Sequence, residues 1–102
     1  MMAGEIAFHP AALQEARAAV DWYSSRSRLA AVAFVLELDV ALAGIAEAPE
    51  RWPTVSGGCR RYVLHRFPFL VIYREHRAIV EVVAVGHAPR RPGYWAERLA
   101  GT

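Results

Sequence analysis

The fold is decided by the stretch Ala78-Ile79-Val80-Glu81-Val82-Val83-Ala84-Val85, which is the clearest β-strand in the chain. Valine and isoleucine dominate it, and β-branched residues favour strands. Glu81 is its one polar residue, so the strand is apolar on both faces. A strand of this kind is covered on at least one face and lies inside a sheet. The stretch therefore predicts the central strand of a covered sheet.

Two further strands are predicted upstream, at 60–66 and 69–74. Their β-branched and aromatic residues favour strand. The links that separate the three strands, Phe67-Pro68 and Glu75-His76-Arg77, are short, and short links join antiparallel neighbours. The sequence therefore predicts an antiparallel meander in which the third strand is 78–85.

The first half of the chain predicts a short strand at 5–8 and two helices. Pro10 lies where a first-turn proline is tolerated, and the second helix, 28–47, ends before Pro49. The second helix carries two apolar stripes, and so has two faces to cover. One stripe holds Leu29, Val32, Leu36, Val40 and Ala43, and the other holds Phe34, Leu38, Leu42 and Ile45. One face should pack on the sheet, and the other on the first helix or on a partner chain.

The order of elements is therefore strand, helical hairpin, three-stranded meander and a short C-terminal helix or turn at 94–99. We expect an α+β fold of the order β-α-α-β-β-β, with the first strand added to the sheet of the meander. A chain of 102 residues fits one domain, 1–102, with one modest core.

Composition predicts a soluble cytoplasmic protein with no membrane partner. The longest uninterrupted apolar run, 29–36, has eight residues, whereas a membrane-spanning helix needs about 20. Nothing near the start resembles a signal peptide. Cys59 is the single cysteine, which excludes an internal disulfide and a cysteine-based zinc site and fits the reducing cytosol.

Positive charge is concentrated in the second half of the chain. Residues 1–59 carry four arginines and seven acidic residues, a balance of −3, whereas residues 60–102 carry eight arginines and three acidic residues, a balance of +5. A basic half attracts a polyanion such as nucleic acid, or the acidic segment of a protein partner. The two could compete for one surface.

The segment that follows the central strand carries the groups best suited to chemistry. His87, Arg90, Arg91 and Tyr94 lie within eight positions. Histidine transfers protons near neutral pH, arginine forks onto phosphate oxygens, and tyrosine donates, accepts or stacks. The alternative is a C-terminal hook whose rings pack on the core while the arginines stay in solvent. Trp95 suits packing better than proton transfer.

Seven segments, in order along almost the whole chain, carry a family resemblance. They are EIAFHPAA (5–12), AVDWY (19–23), FVLEL (34–38), IAEAPERWP (45–53), RFPFLVIYR (66–74), VAVGH (83–87) and RRPGYW (90–95). Together they resemble the RelE/ParE toxins of bacterial type II toxin–antitoxin modules, often called plasmid stabilisation proteins. Toxins of this family divide between cutting messenger RNA and poisoning DNA gyrase.

The resemblance implies a candidate catalytic set for a metal-independent endoribonuclease with no cofactor. RNA cleavage by its own 2′-hydroxyl needs a base, an acid and cations around the phosphate. The candidate catalytic residues are His87, Tyr94 and Arg90, and the candidate phosphate-binding residues are Arg61, Arg66, Arg74 and Arg91. Adjacent strands of the meander could bring these arginines to one region. No pair of histidines has metal-ligand spacing on one helix, so no metal site is predicted.

Two departures from the family pattern keep the activity open. Ala88 stands where some RNA-cutting relatives carry an arginine, and the lysines that others use are absent. Our leading hypothesis is a toxin that cleaves messenger RNA, on the ribosome, and is neutralised by an acidic antitoxin. The antitoxin would lie over the basic groove or on the apolar face of the helical hairpin. The alternatives are a DNA gyrase inhibitor without catalytic activity and a non-toxic family member that only binds antitoxin.

Overall fold

A computed structural model describes residues 4–100 and confirms the α+β fold. The elements, in chain order, are β1 (Ile6–Phe8), α1 (Pro10–Ser24), α2 (Arg28–Glu47), β2 (Arg60–Val63), β3 (Phe69–His76) and β4 (Ile79–His87). Short 3₁₀ turns occupy Pro49–Arg51, Ser56–Gly58 and Ala96–Leu99. The second helix has the predicted bounds, the first begins at Pro10 as predicted, and the last turn lies within the predicted segment 94–99.

Local capping explains where the helices begin. The His9 Nδ1 accepts a hydrogen bond from the Ala11 N–H at 3.0 Å, so the imidazole caps α1 ahead of Pro10. The Ser27 Oγ accepts from the Ala30 N–H at 3.2 Å and caps α2. These caps satisfy N–H groups that have no partner within the helix.

The four strands form one sheet in the order β1-β4-β3-β2. β1 runs parallel to β4, and β4 pairs antiparallel with β3, which pairs antiparallel with β2. β4 therefore has a strand on each side, and its residues 82–86 are buried. The central position predicted for this strand is confirmed, as is the addition of the first strand to the meander's sheet.

Each predicted strand differs from the observed one at one end or both, by one to three residues, and Glu75 and His76, predicted to lie in a link, extend β3. Two of these differences have a clear physical cause. β2 ends at Val63 rather than at residue 66, because the N–H groups of His65 and Arg66 bond to the Glu37 carboxylate of α2 instead of to a strand. At the other end of the sheet, Arg77 and Ala78 form a two-residue turn with φ of 54° and 65°. Ala78 was predicted to open the last strand, but its left-handed backbone places it in the hairpin turn.

The two faces of the sheet are covered differently. Both helices lie on one face, where their side chains join those of the sheet in the main core. The C-terminal segment lies on the other face, where Trp95 packs on a smaller cluster made by Cys59, Ile72, Val83 and Ala84. The covering of the second face brings the candidate functional residues next to the sheet.

The two stripes of α2 have opposite environments. Phe34, Leu38 and Ile45 are buried in the main core, whereas Leu29 and Val40 are among the exposed residues of the outer stripe. By length and composition alone, α2 is also a helix that could cross a membrane, a test that core helices of soluble proteins pass too. The described residues leave the outer stripe without a cover.

Candidate functional site

The candidate site is built on the C-terminal hook, residues 88–100, which folds back over the sheet after β4. The Ala88 N–H donates to the Pro68 carbonyl at 2.7 Å, so the hook starts beside the turn that precedes β3. Gly93, with φ of 78°, then reverses the chain so that Trp95 enters the second cluster. Trp95 is 4% exposed, and the packing role predicted for it is confirmed.

A carboxylate from α1 holds the hook in place. Glu15 Oε2 accepts from the Tyr94 hydroxyl at 2.8 Å and from Arg98 Nη2 at 3.0 Å, while Oε1 accepts from Arg98 Nη1 at 2.8 Å. The Val85 N–H also donates to Oε1, at 3.0 Å, and Arg90 Nη1 lies 3.4 Å from Oε2. Glu15 therefore joins the first helix, the central strand and the hook through one group.

These donors decide the protonation of Glu15. Burial alone would raise its pKa, but the hydrogen bonds from Arg98, Tyr94 and Val85 and the charge of Arg98 outweigh burial and hold the pKa below its ordinary value. The carboxylate is therefore ionised at neutral pH, where it forms the strongest kind of hydrogen bond to its charged partner.

Tyr94 is engaged rather than free. Its hydroxyl donates to Glu15, and the guanidinium carbon of Arg90 lies 3.8 Å from the centre of its ring. Burial and the neighbouring carboxylate raise the pKa of Tyr94 to about 12. A phenol held in this way stays protonated at neutral pH, and its hydroxyl is already used as a hydrogen-bond donor to Glu15.

Gly86 lies directly against the Tyr94 side chain, where there is no room for a side chain of its own. A Cβ at this position would overlap the Tyr94 hydroxyl. The small residue before His87 thus lets the phenol approach β4 and reach Glu15. A larger side chain here would push the hook away from the sheet.

His87 is exposed at the end of β4, next to the first residue of β3. Its ring meets the ring of Phe69 edge-on, with centroids 5.3 Å apart, and the two residues are register partners. Unlike Tyr94, the imidazole forms no hydrogen bond to another described residue, and His87 is exposed. A proton-transfer role needs that accessibility.

Of the candidate arginines, three gather around His87. Arg61, Arg90 and Arg91 line one small groove of about 190 Å³ on the hook side of the sheet, together with His87 itself. All three side chains are exposed. This group could contact a polyanion or an acidic peptide.

Arg66 and Arg74 are engaged elsewhere. Arg66 is 68% exposed and pairs with Glu37 of α2 at 3.5 Å. Arg74 bonds Glu81 on the neighbouring strand at 2.8 Å. Glu81 and His87 are six positions apart on β4, about 20 Å along an extended strand, so Arg74 is not brought to the hook.

A second and larger depression lies on the other side of His87 and Arg90. It measures about 480 Å³ and runs between α1 and the ends of β3 and β4. Its walls are largely aromatic, from Trp22, Tyr23 and Phe69, and Glu15 forms part of its floor. His87 and Arg90 therefore form the ridge between an aromatic depression and the basic groove.

Nothing in residues 4–100 is arranged as a metal centre, since no three histidine, cysteine or carboxylate side chains come together there. Cys59 is fully buried, and burial raises the pKa of its thiol. The thiol therefore stays protonated inside the second cluster and contributes to packing.

Two residues of the site escaped sequence reasoning. Glu15 lies in the first helix, far in sequence from the candidate segment, and Arg98 lies at the end of the hook without any motif. They are 83 positions apart, and their pairing depends on the hook crossing back over β4. A weak signal was present: Glu15 lies three positions after Ala12 and four before Ala19, which are both buried, so it lies at the edge of the face that packs on the core.

Comparison with known proteins gives a consistent family. Residues 6–92 match the ParE toxin of the type II toxin–antitoxin system parDE. No curated protein matches the sequence significantly.

Two solved structures share the fold. A chain of the chromosomal ParDE toxin–antitoxin system from P. aeruginosa superposes with a TM-score of 0.72 at 16% identity, over 82% of this chain and 95% of that one. A free-state double arginine-to-alanine mutant of the E. coli toxin RelE superposes with a TM-score of 0.61 at 20% identity, over 86% of each chain. At such low identity these likenesses speak for the fold alone.

Proposed function

This chain belongs to the ParE toxin family of type II toxin–antitoxin systems, and we propose that it arrests growth by binding and blocking DNA gyrase rather than by cutting messenger RNA. The observation that carries the proposal is the occupation of Tyr94 and Arg90 by Glu15. Two of the three groups expected to act on RNA are thus used to hold the hook.

Phosphodiester cleavage would need these groups in another state. The Tyr94 hydroxyl would have to leave Glu15 to protonate a leaving oxygen, although its pKa is raised to about 12. Arg90 would have to exchange a carboxylate for a phosphate. A toxin that acts by docking on a protein needs neither change, because a fixed hook is then an advantage.

Messenger RNA cleavage remains the second candidate, and one observation favours it. His87 is exposed and shares a groove with Arg61 and Arg91, so a base or acid lies beside two free guanidinium groups. An RNA chain in this groove could supply the phosphate that competes with Glu15 for Arg90. No cofactor is required in either case.

Family membership implies a cognate antitoxin. We propose that an acidic segment of the antitoxin lies in the basic groove, where its carboxylates meet Arg61 and Arg91. Both candidate targets are cytoplasmic, and the proposal puts the action of the toxin there.

The deciding experiment pairs a gyrase assay with a search for cut messages. Toxin made by cell-free synthesis is added to purified DNA gyrase in a supercoiling assay, and messages from cells induced for the toxin are mapped by primer extension. We expect inhibition of supercoiling and growth arrest with intact messages. Replacement His87→Ala should leave both effects in place, because the imidazole forms no hydrogen bond to another residue of 4–100 and its ring only meets the edge of Phe69.

His65→Ala provides the matched control, since His65 is also exposed but lies in the turn before β3. New 5′ ends in codon register that disappear in His87→Ala and persist in His65→Ala would contradict gyrase inhibition and assign RNA cleavage. Absence of growth arrest with the unaltered chain would contradict both activities and leave antitoxin binding as its role.

A further inference from the structure

The outer stripe of α2 is a row of exposed apolar side chains on the helical hairpin. Leu29 is 82% exposed, Val32 51%, Leu36 58% and Val40 66%. These residues recur at steps of three or four and so lie on one side of the helix. Exposure of several large apolar side chains in one row marks a surface that another molecule covers.

The stripe is complementary to itself. Its members are arranged symmetrically about Leu36: Val32 and Val40 lie four positions to either side, and Leu29 and Ala43 seven. A two-fold axis at Leu36 would set Val32 against Val40 and the large Leu29 against the small Ala43 of a second copy. Large residues opposite small ones let two helices approach closely.

Charges at the helix ends favour the same antiparallel arrangement. Arg28 opens α2 and Glu47 closes it, so each charge has the sign that the helix dipole of its own chain disfavours. With the axis at Leu36, Arg28 would lie about 5 Å along the helix axis from Glu47 of the second copy and about 8 Å from its Asp39. All three side chains are exposed in the chain by itself.

We propose that α2 is a dimerisation helix that packs antiparallel against α2 of a second copy, with the two-fold axis at Leu36. The shallow depression beside the stripe, lined by Val20, Val32 and Val35, widens the surface that the second copy covers. Exposed Asp39 borders the stripe and disfavours a lipid surface, where a carboxylate would lose its water. The proposal is independent of the target of the toxin.

The first test measures the mass of the full chain without antitoxin. The chain, made by cell-free synthesis, is followed by sedimentation velocity from about 1 to 100 µM, and we expect a particle of twice the 11.3 kDa chain mass at the upper end. Leu36→Asp should abolish it. Val63→Asp is the matched control, since Val63 is 50% exposed but lies on β2, outside the stripe.

A cysteine test fixes the register. Leu36→Cys should oxidise to a disulfide-linked dimer, because the two copies of residue 36 meet at the axis. Leu29→Cys, although more exposed, should not, because its two copies would lie about 21 Å apart along the helices. Cys59 can remain in both variants since it is fully buried.

A charge swap tests the polar contacts. Arg28→Glu should weaken dimerisation about fivefold, as expected for two exposed ion pairs replaced by repulsion. Arg28→Glu combined with Glu47→Arg should restore it. A monomer at every concentration, a dimer that survives Leu36→Asp, or flotation of the monomer with phosphatidylcholine and phosphatidylglycerol vesicles would each overturn the proposal.

Discussion

Two arginine–glutamate pairs in this protein have nearly the same local geometry. Arg74 and Glu81 are 2.8 Å apart, with side chains 13% and 15% exposed, and Arg98 and Glu15 are 2.8 Å apart, with both side chains 15% exposed. The first pair joins register partners across one hairpin, seven positions apart. The second joins α1 to the C-terminal hook across 83 positions.

The difference shows that position in the fold, rather than the chemistry of the pair, sets the role of an ion pair. Without the Arg74–Glu81 bond, β3 and β4 would still be held by their ladder of backbone hydrogen bonds. Glu15, in contrast, accepts hydrogen bonds from Tyr94, Arg98 and Arg90, and these bonds connect the hook to the first helix.

The largest difference should come from matched replacements of the two carboxylates. Glu15→Gln should lower the free energy of unfolding by about 2–3 kcal/mol, because Arg98 and Tyr94 lose a charged acceptor. Glu81→Gln should cost less than about 1 kcal/mol, as expected for a cross-strand pair. Urea unfolding of the two variants and the parent chain measures both effects.

Hydrogen exchange locates the loss. In Glu15→Gln, the amides of Ala96, Arg98 and Ala100, which are bonded within the hook, should exchange faster while those of β4 stay protected. Equal costs for the two variants, or unchanged exchange in the hook, would contradict the assignment of Glu15 as the residue that holds it.

The stability that Glu15 contributes should also depend on pH. The native pKa of Glu15 lies below its ordinary value of 4.5, so its contribution to stability is complete above that value and is lost as pH falls through the native pKa. Tyr94, raised from 10.0 to about 12, contributes below pH 10 and loses its contribution as pH rises through 12. The stability gap between the parent chain and Glu15→Gln should therefore narrow at both extremes. A gap that stays constant from pH 3 to 7, measured by urea unfolding, would contradict a native pKa of Glu15 below its ordinary value.

A smaller effect is expected from Tyr94→Phe. The variant keeps the ring under Arg90 and removes the hydroxyl that donates to Glu15, so about 1 kcal/mol should be lost. It should also remove one phenol titration near pH 12 from the ultraviolet spectrum. The control is Tyr62→Phe, in which a tyrosine of the main core is changed. A Tyr94 phenol that titrates at its ordinary pKa would contradict the contact with Glu15.

The smallest effect lies at the far end of the sheet, in the turn beside Arg74 and Glu81. Ala78 has a φ of 65°, a conformation that costs an alanine more than a glycine. Ala78→Gly should raise the free energy of unfolding by about 0.5 kcal/mol, the relief of strain less the added freedom of the unfolded chain. Ala18→Gly, at an exposed position inside α1, should instead lower the free energy of unfolding by about 1 kcal/mol. A thermal shift of the same sign for both would contradict the strained turn.

Most of the fold could be predicted because its signals are local. The bounds of α2 follow from Ser27 and Pro49, and the apolar run of β4 indicates its central position. The largest error in a strand boundary fell where a distant group intervenes. Glu37 on α2 takes the backbone donors that would have continued β2, and nothing near residue 65 in the sequence reports that carboxylate.

The candidate site was predicted less completely. His87, Arg90, Arg91 and Arg61 do come together, because the hook follows β4 and lies across the sheet. Their catalytic and substrate-binding roles stay predictions. Arg74 was predicted to lie near them because neighbouring strands of a meander bring their ends together. The register instead places Arg74 opposite Glu81, at the end of the sheet away from the hook.

The sequence by itself determined the elements, their order and the family, since periodicity, caps and turn residues act over a few positions, and seven motifs fall in order along the chain. Only the tertiary structure decided what the polar side chains do. Glu15 and Arg98 meet because the chain returns to α1 after six elements, and their contact turns Tyr94 and Arg90 from free groups into bound ones. The physical reason is that a buried charged group needs an opposite charge beside it. Which residue supplies that charge depends on how the whole chain packs.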